Sequence, residues 1–379
     1  MNAPVGVMSR AHLSDAITVS RILCMTSVVW VHAWFGMPRT VMSGADAVAQ
    51  MTMVTLLADV LGRSSVPLLS IVSGYLVSVS WAKANWASFM ESKARTLLAP
   101  MLLWNGLGLL IILPLVHLTG LQRFGALDTL PAIMNEFTNW RSASRINVQN
   151  YFLRDLFVAM MLAPVLLRLS NRVLVAAMIG TALLQVLSVD TYLFLRISIL
   201  SFFIGGIVIR RLALETRVRG WPVAVAVLIV VATAIYRTAV ALDPGVPALS
   251  GVAHQTSDLA LRIAMALVVW PVALKIAASR AMPGFNRLEP FVLILFCSHT
   301  LVLSLVGPFI GRVTGGFGAP LFPVFFLVQP FLCIAFSVGL GLLLRRVWPV
   351  MADVLSGGRL AKQRNVFQDL TKPGSPLPG

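Results

Sequence analysis

The feature that most constrains this chain is a series of long apolar blocks that carry no charge. Several exceed about 18 residues, the length at which an α-helix spans the hydrocarbon of a bilayer. The residues run in continuous blocks, so the alternating pattern of an outer-membrane barrel is absent. Composition agrees: 58% of the 379 residues are hydrophobic, 12% are charged and the mean hydropathy is +0.86. A soluble domain carries about 25% charged residues, and one of this size cannot hide so much apolar side chain. The fold class read from the sequence is an all-α integral membrane protein with ten transmembrane helices. They are expected at 16–36, 64–80, 97–117, 151–168, 173–190, 193–209, 221–241, 259–278, 289–308 and 319–343. Residues 51–63 are apolar but contain Asp59 and Arg63, and either extend the second helix or lie on the surface.

The net charge of +16 does not point to nucleic acid, because the basic residues sit in short runs between apolar blocks. With the N-terminus inside, 19 of the 30 basic residues fall in cytoplasmic segments and five outside. The other six, Arg21, Arg63, Arg154, Arg196, Arg237 and Arg262, lie in or at the ends of helices. Basic residues gather on the cytoplasmic side of membrane proteins, so both termini are expected in the cytosol. Residues 1–345 read as a single membrane domain, and 346–379 as a disordered cytoplasmic tail. The first apolar stretch lacks a cleavage site and reads as a retained helix. Cys24, Cys297 and Cys333 fall within apolar blocks and have neither metal-ligand nor disulfide spacing.

Ionisable groups inside a membrane helix cost about 2.5–3.5 kcal/mol each, so each is a candidate for function. Arg21 and His32 are eleven residues apart, close to three helical turns, which places them on one face about 16 Å apart along the axis. A guanidinium binds phosphate and an imidazole serves as general base. A phosphorylated carrier with a long thin arm, such as coenzyme A, suits that spacing. The bland alternatives are an arginine that snorkels to the headgroups and a histidine that satisfies a helix–helix hydrogen bond.

These residues resemble the N-terminal signature of the membrane-bound acyltransferase-3 family. Pro67-Leu68-Leu69-Ser70-Ile71-Val72-Ser73-Gly74-Tyr75 resembles the family's second-helix segment. Lys93-Ala94-Arg95, followed by Pro100 and Trp104, resembles its basic cytoplasmic motif, with Lys93 where many members carry Arg. Tyr151 to Phe157 resembles its aromatic-rich fourth helix, and Ser298-His299 its late-helix histidine. The resemblance runs in order over about residues 10–345.

The resemblance implies a stand-alone O-acyltransferase of the bacterial cytoplasmic (inner) membrane. It would move an acyl group, acetyl above all, from cytosolic acyl-CoA to a sugar hydroxyl of a surface or exported glycan. His32 is then the catalytic residue, as a base or as a transient acyl-imidazole, and Arg21, Lys93 and Arg95 bind acyl-CoA. Ser73, Tyr75, Arg154, Asp155 and His299 are candidates for the cavity or the acceptor. For Ser73 and Gly74 the alternative is helix packing, for Tyr75 an interfacial anchor, and for Arg154 and Asp155 a mark of the membrane boundary. Neighbouring helical residues do not face each other, so Arg154 and Asp155 need not pair. The connection 118–150, with Trp140, Arg141 and Arg145, is either an acceptor-binding lid or a structural segment.

No metal site or permanently bound cofactor is expected; acyl-CoA (acetyl-CoA) is a co-substrate. The expected partners are membrane lipids, a glycan or lipid-linked glycan, and polysaccharide assembly proteins or a second copy of the chain, with no nucleic acid. A transporter or flippase for a lipid-linked or anionic solute, and a structural subunit of an export complex, are the competing readings.

Overall fold

The computed structural model describes residues 9–33, 45–81, 85–119, 127–216 and 220–361, which are mostly helical with no β-strand among them. The first helix, α1 (Arg10–Val31), starts at Ser9, whose hydroxyl accepts from the His12 amide, and ends with His32 as its C-cap. It therefore stops short of the expected residue 36, and residues 34–44 lie outside the described chain. The next helix, α2 (Ala45–Val54), runs on through a π-turn (Thr55–Val60) and a 3-10 turn (Leu61–Ser64) into α3 (Ser65–Trp81). Residues 51–63 thus extend the second helix. A similar irregularity joins α4 (Trp86–Lys93) to α5 (Ala99–Thr119) through a π-turn at Ala94–Leu98. In both cases a proline follows closely, Pro67 and Pro100. Each lacks the N–H that would bond the carbonyl four residues earlier, which loosens the helical ladder there.

The remaining helices are α6 (Leu130–Thr138), α7 (Tyr151–Leu166), α8 (Asn171–Val186), α9 (Ser198–Arg211), α10 (Trp221–Leu242), α11 (Gly251–Ala277), α12 (Met282–Leu288), α13 (Val292–Thr314), α14 (Phe322–Val347) and α15 (Pro349–Leu355). Each of the ten expected spans coincides with a helix. Among the described residues seven helical stretches are long and apolar enough to cross a membrane. α7, α8 and α9 are shorter, with 16, 16 and 14 residues.

At the centre, α1 packs against α3, α11, α13 and α14. The most extensive contact between two helices is that of α3 with α9, and two glycines make it possible. A Cβ on Gly74 would run into the Phe203 carbonyl, and one on Gly206 into the Ile71 carbonyl. Backbones can approach so closely only where side chains are missing. Around the outside, α10 buries only Ala226 and exposes Leu228 and Ile235, as does α14 with Val324 and Phe331. These faces suit contact with acyl chains.

Three expectations change here. The connection 118–150 is no simple loop: residues 120–126 lie outside the described chain, α6 follows, and 139–150 is irregular chain packed into the protein. Asn139, Ser144, Asn147 and Asn150 are at most 1% exposed. The buried Glu136 carboxylate holds this turn, accepting from Ser144 Oγ at 2.6 Å and the Arg145 amide at 2.7 Å. Irregular backbone at membrane depth is stable only where protein groups satisfy it. Secondly, α9, the sixth of the expected spans, begins at Ser198 rather than 193, for a reason given below. Thirdly, the segment after Arg346 is folded as far as residue 361. Ala352, Leu355 and Leu360 join the core, and Trp104 Nε1 donates to the Leu355 carbonyl at 3.3 Å. Residues 362–379 lie outside the described chain.

Candidate active site

Arg21 and His32 both face α13 and the turn that precedes it. Arg21 Nη1 lies 3.8 Å from Glu289 Oε1, and the His32 ring lies 5.3 Å from the His299 ring, centroid to centroid. Residues 21 and 32 are eleven apart and residues 289 and 299 ten apart. Two helices that rise about 1.5 Å per residue can meet at both levels only if they run parallel and in register. The result is a pair of rungs about 15–16 Å apart, one of opposite charges and one of imidazoles.

The charged rung is larger than the sequence suggested. Arg359, beyond α15, places its Nε 3.9 Å from the same Glu289 oxygen, and the Arg21 and Arg359 charges act on each other. Lys93 also lies within electrostatic range of Arg21, with its ammonium 5.1 Å above the Phe89 ring. Arg95 stands apart: it is exposed and forms a 2.6 Å surface pair with Glu91 one turn earlier. Two guanidiniums therefore share a single carboxylate midway along α1, with the Lys93 ammonium in electrostatic range of one of them.

The imidazole rung is enclosed. His299 is fully buried, and its Nδ1 lies 2.8 Å from the Phe296 carbonyl and 3.2 Å from that of Leu295. A carbonyl only accepts, so Nδ1 carries the proton and Nε2 keeps its lone pair. Among the described residues that Nε2 has no hydrogen-bond partner, and neither do the buried Ser298 Oγ on the same helix and Gln329 Oε1 on α14. Gln329 Nε2 donates to the Ala33 carbonyl at 3.1 Å, and Trp30 Nε1 to the Phe326 carbonyl at 3.1 Å, so α14 clamps the end of α1 beside His32. Buried polar atoms without partners are uncommon in folded proteins, and two of these three lie one residue from the paired imidazoles or on the clamp.

The irregular chain 139–150 supplies the wall beyond α13. Thr300 Oγ1 donates to Gln149 Oε1 at 2.7 Å, Gln149 Nε2 donates to the Cys297 carbonyl at 3.0 Å, and Asn147 Nδ2 donates to the Trp104 carbonyl at 2.8 Å. This network brackets His299 on both sides in sequence.

Residues 14–346 match the family model described as an acyltransferase domain, acyltransferase family 3. This chain belongs to the acyltransferase-3 family. A succinoglycan biosynthesis protein, ExoH, of Rhizobium meliloti (strain 1021) is 28% identical over 372 residues, covering 94% of this chain and 96% of its own length. No solved structure matches. The chain is thus a multi-pass membrane acyltransferase.

The other residues singled out in the sequence lie elsewhere in this acyltransferase. Ser73 Oγ donates to the Leu69 carbonyl of its own helix at 2.7 Å, and Gly74 is taken up by packing against α9. Tyr75 donates to Glu215 Oε1 at 2.9 Å, under the Arg210 guanidinium, in an apolar pocket beside the start of α1. Arg154 and Asp155, which helical geometry does not require to pair, form a buried 2.7 Å pair. A side chain can bend back along its helix although its neighbour's Cα direction diverges, and here both have the same target. Arg154 Nη1 donates to the Leu193 carbonyl, and Asp155 accepts from the Arg196 amide at 2.8 Å and the Leu195 amide at 3.2 Å. The pair thereby supports non-helical backbone before α9, which is why that helix starts late. Sequence reasoning missed Glu289, Arg359, Asn147, Gln149 and Gln329. Glu289 alone had a signal, since it stands ten residues before a histidine as Arg21 stands eleven before another.

Proposed function

We propose that this enzyme transfers an acyl group, acetyl in the simplest case, from cytosolic acyl-CoA to a hydroxyl of an exported polysaccharide. It would work in a bacterial cytoplasmic membrane with both termini in the cytosol. Family membership supports acyl transfer, and the printed role of the relative, succinoglycan biosynthesis, supports a polysaccharide acceptor. The observation that carries the reading is the pair of rungs on α1 and α13: cations at one end, and two imidazoles beside unpartnered buried polar atoms about 16 Å further in.

Arg21, Arg359 and Lys93 would take the phosphates of the carrier, since two guanidiniums share one carboxylate and the Lys93 ammonium lies in electrostatic range of Arg21. Glu289 holds the two guanidiniums in place without neutralising the group. Arg95 would act at the rim. The thioester arm then extends along α1 to His32. His32 removes the proton of the acceptor hydroxyl, the oxygen bonds the acyl carbon, and the C–S bond breaks; the proton passes through His32 to the departing sulfur. A covalent route by acyl-imidazole on His32 uses the same geometry. His299 lies against the His32 ring and positions it, its own tautomer held by the Phe296 carbonyl.

Mass spectrometry of the exported polysaccharide tests the reading. Cells with the wild-type enzyme should yield ester-linked acyl groups, and cells with His32→Ala at equal protein level should not. Normal acylation by the variant would remove His32 from catalysis, and an unacylated polysaccharide from wild-type cells would remove the acceptor.

A further inference from the structure

A second polar centre lies away from the two histidines, and nothing in the acyl-transfer scheme uses it. Asp258 of α11 is shared by three arginines from three different elements. Arg63 Nη1, from the turn between α2 and α3, lies 3.3 Å from Oδ1; Arg237 Nη2, from α10, lies 3.0 Å from Oδ1; and Arg262 Nε lies 2.6 Å from Oδ2. Arg237 also donates to the Asp59 carbonyl at 3.1 Å, and the Asp59 carboxylate is 3.9 Å from Arg63. The cluster borders a polar cavity of about 260 Å³ whose walls include Arg196, Gln255 and His254. Tyr151, Gln185, Arg196 and Gln255 also line a groove of about 1070 Å³, which reaches Trp140, Arg141 and Tyr192. Cavity and groove adjoin each other across these four side chains.

A purely structural cluster would match its charges. Each guanidinium carries five N–H donors, whereas Asp258 has two oxygens and both are taken. Arg196 faces the cavity too, and among the described residues no carboxylate lies within 4 Å of its side chain. Arg63, Arg237 and Arg262 exceed their carboxylates, Asp258 and Asp59, by one positive charge, and the exposed Arg196 adds another at the cavity wall, with Asp190 further along the groove. Such an excess lining a polar cavity suits an anion with several acceptor oxygens. The cavity is also close to the proposed chemistry. Gly62, next to Arg63, packs against Val31, next to His32, and Ser65 Oγ donates to the Cys24 carbonyl of α1.

We infer that this cavity binds an anionic group of the acceptor, with Arg196 and Arg262 as direct contacts, and that the adjoining groove carries the neighbouring sugars across Trp140 and Tyr192. The acceptor class is therefore an acidic glycan or a glycan still joined to its lipid by phosphate, and not a neutral chain. This inference rests on the proposed function for the word acceptor, but the site stands on its own geometry.

Binding to the purified full chain, at two salt concentrations, tests it with three probes: an oligosaccharide of hexuronic acids, its carboxyl-reduced neutral counterpart, and inorganic pyrophosphate. The acidic oligosaccharide should bind at least about 10-fold more tightly than the neutral one, more weakly at high salt, and Arg196→Gln should reduce its affinity about 10-fold. Arg196 is exposed and its side chain is not part of the Asp258 network, so this variant should fold. Binding of pyrophosphate alone, lost in Arg196→Gln, would support the site and assign its anion to the lipid linkage. Equal binding of charged and neutral oligosaccharides, binding of none of the probes, or an unchanged Arg196→Gln affinity would overturn it. His32→Ala separates the two proposals, since it should keep this binding while losing acyl transfer. A wild-type enzyme that binds the acidic probe but acylates no glycan would refute the function and leave the site.

Discussion

His32 and His299 meet although 267 positions separate them in the chain, and their environments assign them different work. His299 is fully buried with Nδ1 committed to a backbone carbonyl, whereas His32 caps a helix end and is half-buried. Loss of a general base costs about 10²–10⁴-fold in rate, so His32→Ala should lower transfer by that order with carrier binding intact. His299→Ala should leave measurable transfer, lower than wild type and with a changed pH profile; an effect on rate equal to that of His32→Ala, with no residual activity, would make His299 the base instead. The two arginines assigned from the sequence to the carrier should also part company. Arg21 shares its carboxylate with a second guanidinium, and its loss should weaken coenzyme A binding roughly 10- to 100-fold, the worth of one charge-assisted bond. Arg95 is an exposed partner of Glu91, and exposed pairs contribute little, so Arg95→Ala should change the affinity by less than about 3-fold. Calorimetric titration of coenzyme A into the purified variants checks both values.

At the scale of elements, the contact between α3 and α9 is the most exacting in the molecule. Gly74 and Gly206 each lie against a backbone carbonyl of the other helix. Neither carbonyl can move without its helix. Gly74→Ala should therefore destabilise the protein by about 1–3 kcal/mol, the usual range for overpacking, with a lower thermal unfolding temperature. Gly180 on α8 has open space around the Cβ position; Gly180→Ala should be neutral or slightly stabilising, because alanine is the better helix former. Similar unfolding temperatures for the two variants would show that α3 and α9 can slide apart freely. The C-terminal element has a different part. α15 and the turn after it carry Leu355 into the core and Arg359 to Glu289, so residues 349–361 complete the charged rung instead of trailing from it.

For the whole molecule, orientation can be tested with the native cysteines in place, because Cys24, Cys297 and Cys333 are all buried and give little background. A membrane-impermeant maleimide should label Trp140→Cys in intact cells, and Arg95→Cys only after permeabilisation. Both wild-type side chains are exposed. Labelling of Arg95→Cys in intact cells would reverse the proposed topology. The positions of the helices, the family and the shared face of Arg21 and His32 were all legible in the chain itself. Apolar length and helical period are local properties, and the lipid solvent enforces them: a backbone in hydrocarbon must bond to itself. The partners of that face were not legible. Glu289 and His299 belong to a helix more than 250 residues away, and Arg359 lies in a segment whose composition reads as a tail. The buried turn at 139–150 and the irregular chain before α9 look like ordinary polar connections until Glu136, Arg154 and Asp155 are seen to bond their backbones. The arginine cavity escaped for the same reason, since Arg63, Arg237 and Arg262 read singly as charges at helix ends. The sequence by itself determined which segments are helical and which family they build. Only the tertiary structure decided which charges share a carboxylate, because a charge in a membrane is tolerable only beside its partner, and partners are set by how helices pack and not by their order.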